Sequence, residues 1–402
     1  MIQKCEDYLN RLCREIHQRP VGSEGNQQAN NLFQETVEKF GWKVEPTPFQ
    51  AMDWKSDGAE FQLGSDIFQI YPSPYSLGCS LEAELVAAGT ITELEDVNAS
   101  GKLLLLHDEL TREQLMPKNF VFYNPEEHQK IIALLEEKEP GVILTATSRN
   151  AALAGGVYPF PLIEDGDFQI PSVYMTEAEG EKLFLRVGQV GKLISHANRY
   201  LTEGLNLVAS KGSDQTRRIA ISAHIDAKLD TPGAIDNATG VIVLLLLAES
   251  LKEYQGSTMI ELLPFNGEDY YAASGQMIYL EQNQNKFNEI LVNINIDGAG
   301  FHEGPSAFSP FNLPVDIKKC LDEVLDSTKN IHEGGPWYQG DHSIFIQQGV
   351  PAIAVTSQWF LENIDSQEIT HTPKDHAGIV NCDKLIVITE GIADFIQKAY
   401  LD

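Results

Sequence analysis

Arg218-Ile-Ala-Ile-Ser-Ala-His224-Ile-Asp226-Ala-Lys-Leu-Asp-Thr-Pro-Gly-Ala-Ile-Asp236-Asn-Ala-Thr-Gly240-Val-Ile-Val-Leu-Leu-Leu-Leu-Ala248 passes from one apolar segment, through a polar loop, into another. The first segment is short and β-branched, which predicts a strand buried on both faces. The second, Val241 to Leu251, is longer and apolar all round, which predicts a buried helix. Asn237 and Thr239 are suited to cap that helix. A strand that feeds a helix through a loop carrying His224, Asp226 and Asp236 is the unit of an α/β fold, and in open α/β sheets the functional groups gather beyond the carboxyl ends of the strands.

The same grammar continues downstream. Met259–Phe265 is a strand followed by Glu268 and Asp269. Ile290–Ile296 is a strand followed by Asp297. Ala352–Thr356 is a strand with His371 in the loop beyond it. Helices are predicted between them at Ser274–Gln282, Val315–Ser327 and Lys384–Tyr400, so the fold class is α/β with a mostly parallel mixed sheet between layers of helices. A histidine at a strand end is ordinarily structural, and an aspartate there is ordinarily a cap or turn residue. The joint occurrence at matching strand ends points further. His224, Asp236, Asp269, Asp297 and His371 are the residue types of a metal site built from imidazole and carboxylate, which suits zinc. Two ions sharing one carboxylate can polarise a carbonyl and activate water, and a carboxylate that binds no metal, Glu268, is then available to move the proton.

Toward the N-terminus, Tyr8, Leu9, Leu12 and Ile16 recur at helical spacing, and a second helix is expected over Gln28–Phe40. Residues from about 60 to 200 change character. Short strands at Phe61–Leu63, Phe68–Tyr71, Glu82–Ala87, Lys102–His107 and Val142–Thr145, with one helix at His128–Glu137, predict a separate β-rich module. The chain has 402 residues and a net charge of −29, from 29 basic and 58 acidic side chains. That charge argues against nucleic acid and anionic membrane as partners; it is compatible with cationic ligands such as peptide amines, and a solvated acidic surface is its ordinary reading. The N-terminal residues carry no apolar signal core, and the five scattered cysteines (5, 13, 79, 320 and 382) read as thiols of a reducing compartment, so a cytoplasmic location is expected.

The motifs resemble those of the co-catalytic zinc aminopeptidases of clan MH, whose relatives include glutamate carboxypeptidases, glutaminyl cyclases and transferrin receptors. The resemblance is carried by His224-Ile-Asp226, Gly233-Ala-Ile-Asp236-Asn237-Ala-Thr-Gly240, Gly267-Glu268-Asp269 with Ser274-Gly275, Asp297-Gly-Ala-Gly300, Gly340-Asp341-His342 with Gly349-Val-Pro-Ala352, and His371-Thr-Pro-Lys-Asp375. Arg19-Pro-Val-Gly-Ser-Glu-Gly-Asn is similar to the family's opening. Gly101-Lys-Leu-Leu-Leu-Leu-His, Gly141-Val-Ile-Leu and Ile170-Pro-Ser-Val-Tyr resemble the protease-associated domain often inserted in these enzymes.

The resemblance implies a catalytic domain over 1–60 and 200–402, with a protease-associated-like insertion over 61–199. It implies two zinc ions, the first on His224 and Asp297, the second on Asp269 and His371, with Asp236 bridging them and the Asp236–Asn237 peptide cis. Glu268 would be general base and then acid, and Asp226 would orient His224. Two positions depart from the family. Asp269 stands where many relatives carry Glu, and Thr370 where some carry an oxyanion-stabilising tyrosine, a role for which Tyr338 is the candidate substitute. His342 is expected to be structural, and His302, His332 and His376 to be surface residues. The activity implied is aminopeptidase action on peptides with a free N-terminus. A glutaminyl-cyclase-like acyltransferase with one zinc and a non-catalytic binding homologue are the alternatives. Homodimerisation stays open.

Overall fold

In the computed structural model, which describes residues 1–16, 18–150 and 156–401, the chain forms two units, Met1–Ala51 with Glu203–Asp402, and Met52–Thr202. Among the described residues, no helix is long and apolar enough to cross a membrane.

The first unit contains helices α1 (Ile2–Asn10), α2 (Glu24–Lys39), α3 (Thr239–Ser250), α4 (Ser274–Gln282), α5 (Val315–Ser327), α6 (His342–Gln347) and α7 (Cys382–Tyr400). Its strands are β1 (Asp214–His224), β2 (Thr258–Phe265), β3 (Ile290–Ile296), β4 (Ser306–Phe311), β5 (Ile331–Glu333) and β6 (Ala352–Ser357). The strands lie in the order β5-β4-β6-β3-β1-β2. The four adjacent strands β6, β3, β1 and β2 are mutually parallel. Their register sets His224 beside Phe265, Asn295 beside Ser222 and Ile296 beside Val355, so all four carboxyl ends open on one edge. β4 runs antiparallel to β6 at the sheet's margin, and residues 209–211 pair antiparallel with β2.

β1 is buried from Arg218 to His224, as its unbroken apolar run requires. Helix α3 packs on β1 and β2 beneath α2 and α7. Every residue from Thr239 to Ala248 is buried. Each fully buried aliphatic side chain there contributes about 1.5–3 kcal/mol, which overrides the modest intrinsic helix propensity of its β-branched members. Gly240 permits the close approach of the helix start to the sheet. A Cβ there would lie 2.6 Å from the Ile296 carbonyl oxygen and 2.8 Å from the Ala223 Cβ. Helix α2 begins at a cap in which Ser23 accepts a hydrogen bond from the Asn26 amide at 3.2 Å.

In the second unit, Cys79–Ala88, Leu103–Leu106, Val142–Thr147 and Ser172–Thr176 form successive parallel pairs. Leu104, Leu106 and Ile143 join one apolar cluster with Ile131, Leu135 and Phe160, while Leu103, Leu105 and Leu144 join another with Phe61, Phe68 and Met175. Alternate residues of each strand therefore serve opposite faces, both covered. The expected helix is present as Glu126–Lys138, but two more accompany it, Ile91–Asp96 and Glu177–Phe184. The unit is thus less purely β than its turn-rich sequence predicts. Both extra helices carry a readable signal, a threonine followed three residues later by glutamate. Thr90 accepts from the Glu93 amide and Thr176 from the Glu179 amide, each at 3.2 Å.

Candidate metal centre

His224 is the last residue of β1 and is 1% exposed. Its Nδ1 lies 3.1 Å from the Asp226 carbonyl oxygen. A ring nitrogen facing a carbonyl must donate, so in the neutral ring the lone pair sits on Nε2. That nitrogen lies 3.0 Å from Asp236 Oδ1 and 3.7 Å from Asp297 Oδ1, and it is buried with no hydrogen-bond partner. On the other side, His371 Nε2 lies 3.1 Å from Asp236 Oδ2 and 3.3 Å from Asp269 Oδ1. Asp236 thus turns one oxygen to each histidine, and each histidine also meets a second carboxylate. An acceptor facing acceptors is unfavourable unless a proton or a metal cation stands between them.

The fold supplies these positions separately. Asp297 leaves the end of β3, its amide donating to the Val355 carbonyl at 2.9 Å. The Asp236–Asn237 peptide is cis. Asn237 anchors it, donating from Nδ2 to the Ile296 carbonyl at 2.8 Å and accepting from the Gly240 amide at 3.0 Å. The latter bond is the helix cap expected of Asn237. Thr239 instead donates back to the Ile235 carbonyl at 3.2 Å. Asp226 is 1% exposed. Its two oxygens accept from the amides of Gly267 at 2.8 Å and Asp269 at 3.0 Å, the residues flanking Glu268, which joins the loop after β1 to the turn after β2. Asp269 Oδ2 accepts from the Lys228 amide at 3.1 Å.

Among the described residues, three sets have their donor atoms within 4.8 Å of one another: His224, Asp236 and Asp297; His224, Glu268 and Asp269; and Asp236, Asp269 and His371. The charges on these groups perturb one another. Burial works against charging His224, yet Asp226, Asp236 and Asp297 outweigh it and hold its pKa well above the ordinary imidazole range. The same contest, with Asp269 and Asp236 prevailing, raises His371. Burial pushes Asp236 upward, but the two histidines overcome it and hold its carboxyl low. Burial raises Asp297 against the pull of His224. It also raises Glu268 well above the carboxylate range, with Asp269, Asp297 and Asp341 adding and His224 opposing. The surrounding carboxylates hold protons on the two imidazoles, and a divalent cation answers the same excess of negative charge.

The other expected residues fall differently. Tyr338 is 64% exposed and its ring meets Phe311 at 5.4 Å. It neighbours the site through Gly340, where a Cβ would lie 3.1 Å from Asp297 Oδ2, but no described bond brings its hydroxyl to the cluster. His342 is buried, donating from Nε2 to the Trp337 carbonyl at 2.8 Å. His302, His332 and His376 are exposed. Arg218 is engaged in a two-pronged bond to Glu261 at 2.9 Å on each arm. Sequence reasoning assigned no role to Arg19, Asp341 or Asp375, although each falls inside a quoted motif. All three are buried, and Asp341 Oδ1 accepts from Gln276 at 2.8 Å.

Residues 206–396 match the model of peptidase family M28. A protein of Aspergillus oryzae described as probable leucine aminopeptidase 2 is 25% identical over 37% of this chain and 32% of its own length. Aminopeptidase YwaD of Bacillus subtilis is 20% identical over 59% of this chain and 54% of its own. The alignments therefore span about half or less of these curated relatives. The solved structure of BSAP, a zinc aminopeptidase from Bacillus subtilis, superposes with a TM-score of 0.72 over 100% of this chain and 95% of that one, at 15% identity, which establishes a common fold.

Proposed function

We propose that the protein is a zinc-dependent aminopeptidase that removes N-terminal residues from peptides, a reading supported by the match of residues 206–396 to the model of peptidase family M28. The observation that carries this reading is the division of Asp236 between two histidines, one oxygen 3.0 Å from His224 and the other 3.1 Å from His371. The donor set is two imidazoles and three aspartates, which fits zinc. His224, Asp297 and Asp236 would hold one ion, and Asp269, His371 and Asp236 a second. When bound, the ions supply Lewis acidity toward the attacking water and the scissile carbonyl. Glu268 accepts the proton from water and passes it to the leaving amine, and its burial raises its proton affinity well above that of an ordinary carboxylate. Asp226 keeps Glu268 in place through the amides of Gly267 and Asp269, and its own carbonyl accepts from His224 Nδ1. The acidic surroundings suit the cationic N-terminus of a peptide. Tyr338 is the candidate for contact with the developing oxyanion, which requires it to move inward. Residues 61–199 are read as a protease-associated-like insertion, and a cytoplasmic location is supported by the odd, scattered set of five cysteines.

The test is Glu268→Gln. It is expected to retain zinc at the wild-type stoichiometry and to lose about 10²–10⁴-fold in turnover of aminoacyl-anilides. Near-normal turnover would remove Glu268 from this role. One zinc per chain, with cyclisation of an N-terminal glutamine peptide, would favour the acyltransferase reading instead.

A further inference from the structure

The loop that joins His224 to Asp236 is gripped by two buried charged residues from distant parts of the chain. Arg19 is 0% exposed. It donates to the Ile225 carbonyl at 3.0 Å, the Pro232 carbonyl at 2.9 Å and the Gly233 carbonyl at 2.7 Å, with a fourth bond to the Leu12 carbonyl at 2.8 Å. Its own carbonyl accepts from the Ala227 amide at 3.3 Å. Asp375 is also 0% exposed. Its carboxylate oxygens accept from the Ile235 amide at 2.7 Å and the Asp236 amide at 3.0 Å, and its carbonyl accepts from the Ala234 amide at 3.3 Å. The arginine therefore takes carbonyls from both ends of the loop, and the aspartate takes the amides leading into Asp236.

Gly233 stands where the two grips meet. Its φ is +57°, and a Cβ there would lie 2.8 Å from Arg19 Nη2 and 2.7 Å from the Asp236 carbonyl oxygen. A loop with no regular hydrogen-bond ladder has no intrinsic reason to hold one geometry. This loop is given one by seven bonds to Arg19 and Asp375. The position most sensitive to it is Asp236, which must face both histidines at once.

We propose that Arg19 and Asp375 are positioning residues for metal binding, clamping backbone 225–236 so that the two oxygens of Asp236 reach separate histidines. This rests on the metal-centre reading, so the experiment separates the two. Zinc dissociation constants are measured by chelator competition, and visible spectra are recorded with cobalt, for wild type, Arg19→Lys, Asp375→Asn and a control, Arg218→Gln. Arg218 is buried and bonded to Glu261 but contributes none of the bonds to the loop, so it reports what loss of a buried charge does by itself. The expected result is a 10–100-fold weaker zinc affinity in both clamp variants, the size typical of groups that orient metal ligands. An altered cobalt spectrum, unchanged far-ultraviolet circular dichroism and a control within about threefold of wild type should accompany it. Clamp variants that bind zinc like wild type, or a control that weakens it equally, would overturn the inference while the metal reading stands. A wild-type protein that binds no zinc would overturn both. If Arg19→Lys does not fold, the isosteric Asp375→Asn carries the test.

Discussion

Replacing Asp226 by asparagine should damage the site without touching a ligand. Its carboxylate, 1% exposed, accepts from the Gly267 amide at 2.8 Å and the Asp269 amide at 3.0 Å. Asparagine keeps the shape and one acceptor oxygen. The other oxygen becomes an NH₂ group pointed at an N–H, so one charge-assisted bond is lost and a buried amide is left without a partner. A hydrogen bond to a charged group is worth about 1.5–3 kcal/mol net, and at about 1.4 kcal/mol per decade the loss amounts to roughly 10–150-fold. It should fall locally, because the orphaned amide lies on a residue flanking Glu268, while a domain with about 5–15 kcal/mol of stability remains folded. The assay is zinc affinity by chelator competition, followed by kcat of the zinc-saturated enzyme on an aminoacyl-anilide. The two losses together should account for the predicted factor. A variant with wild-type kcat and zinc affinity within about threefold would refute the reasoning, since the two amide bonds would then not position the site.

Two further outcomes test the packing around it. Burial lowers the pKa of His342 from 6.5 to about 4, against the opposing bond to the Trp337 carbonyl. Because the folded value is the lower one, its contribution to stability is complete above the unfolded pKa and is lost as pH falls from there through about 4, about 3 kcal/mol in all; the stabilities of wild type and His342→Gln from urea titrations should diverge by that total between pH 6.5 and 4, and parallel pH dependences would show that His342 does not stay neutral. Gly240→Ala sets helix propensity against space: alanine is favoured by about 1 kcal/mol in a helix, but its Cβ would lie 2.5 Å from Asn237 Oδ1 and 2.6 Å from the Ile296 carbonyl oxygen, a clash worth about 1–3 kcal/mol, so Tm should fall, and a rise would contradict the packing of α3 on β3.

The elements that carry the chemistry were legible because they are local. Strand β1 and helix α3 are written in consecutive apolar residues, and parallel strands bring their carboxyl ends to one edge, so His224, Glu268, Asp269 and Asp297 could be placed at strand ends from spacing alone. The same locality hid the short capped helices of the second unit, whose signal is one threonine–glutamate pair rather than a periodic stripe. It also gave no sign that Tyr338, in a promising loop, points its ring at Phe311 and is 64% exposed. Tertiary structure alone decided the strand order β5-β4-β6-β3-β1-β2 and the arrival of Arg19 and Asp375 at one loop. Periodicity along a chain records which face of an element is buried, whereas the contacts of Arg19 with Gly233 and of Asp375 with Asp236 depend on which elements pack side by side, and that is set by the burial of the whole core at once.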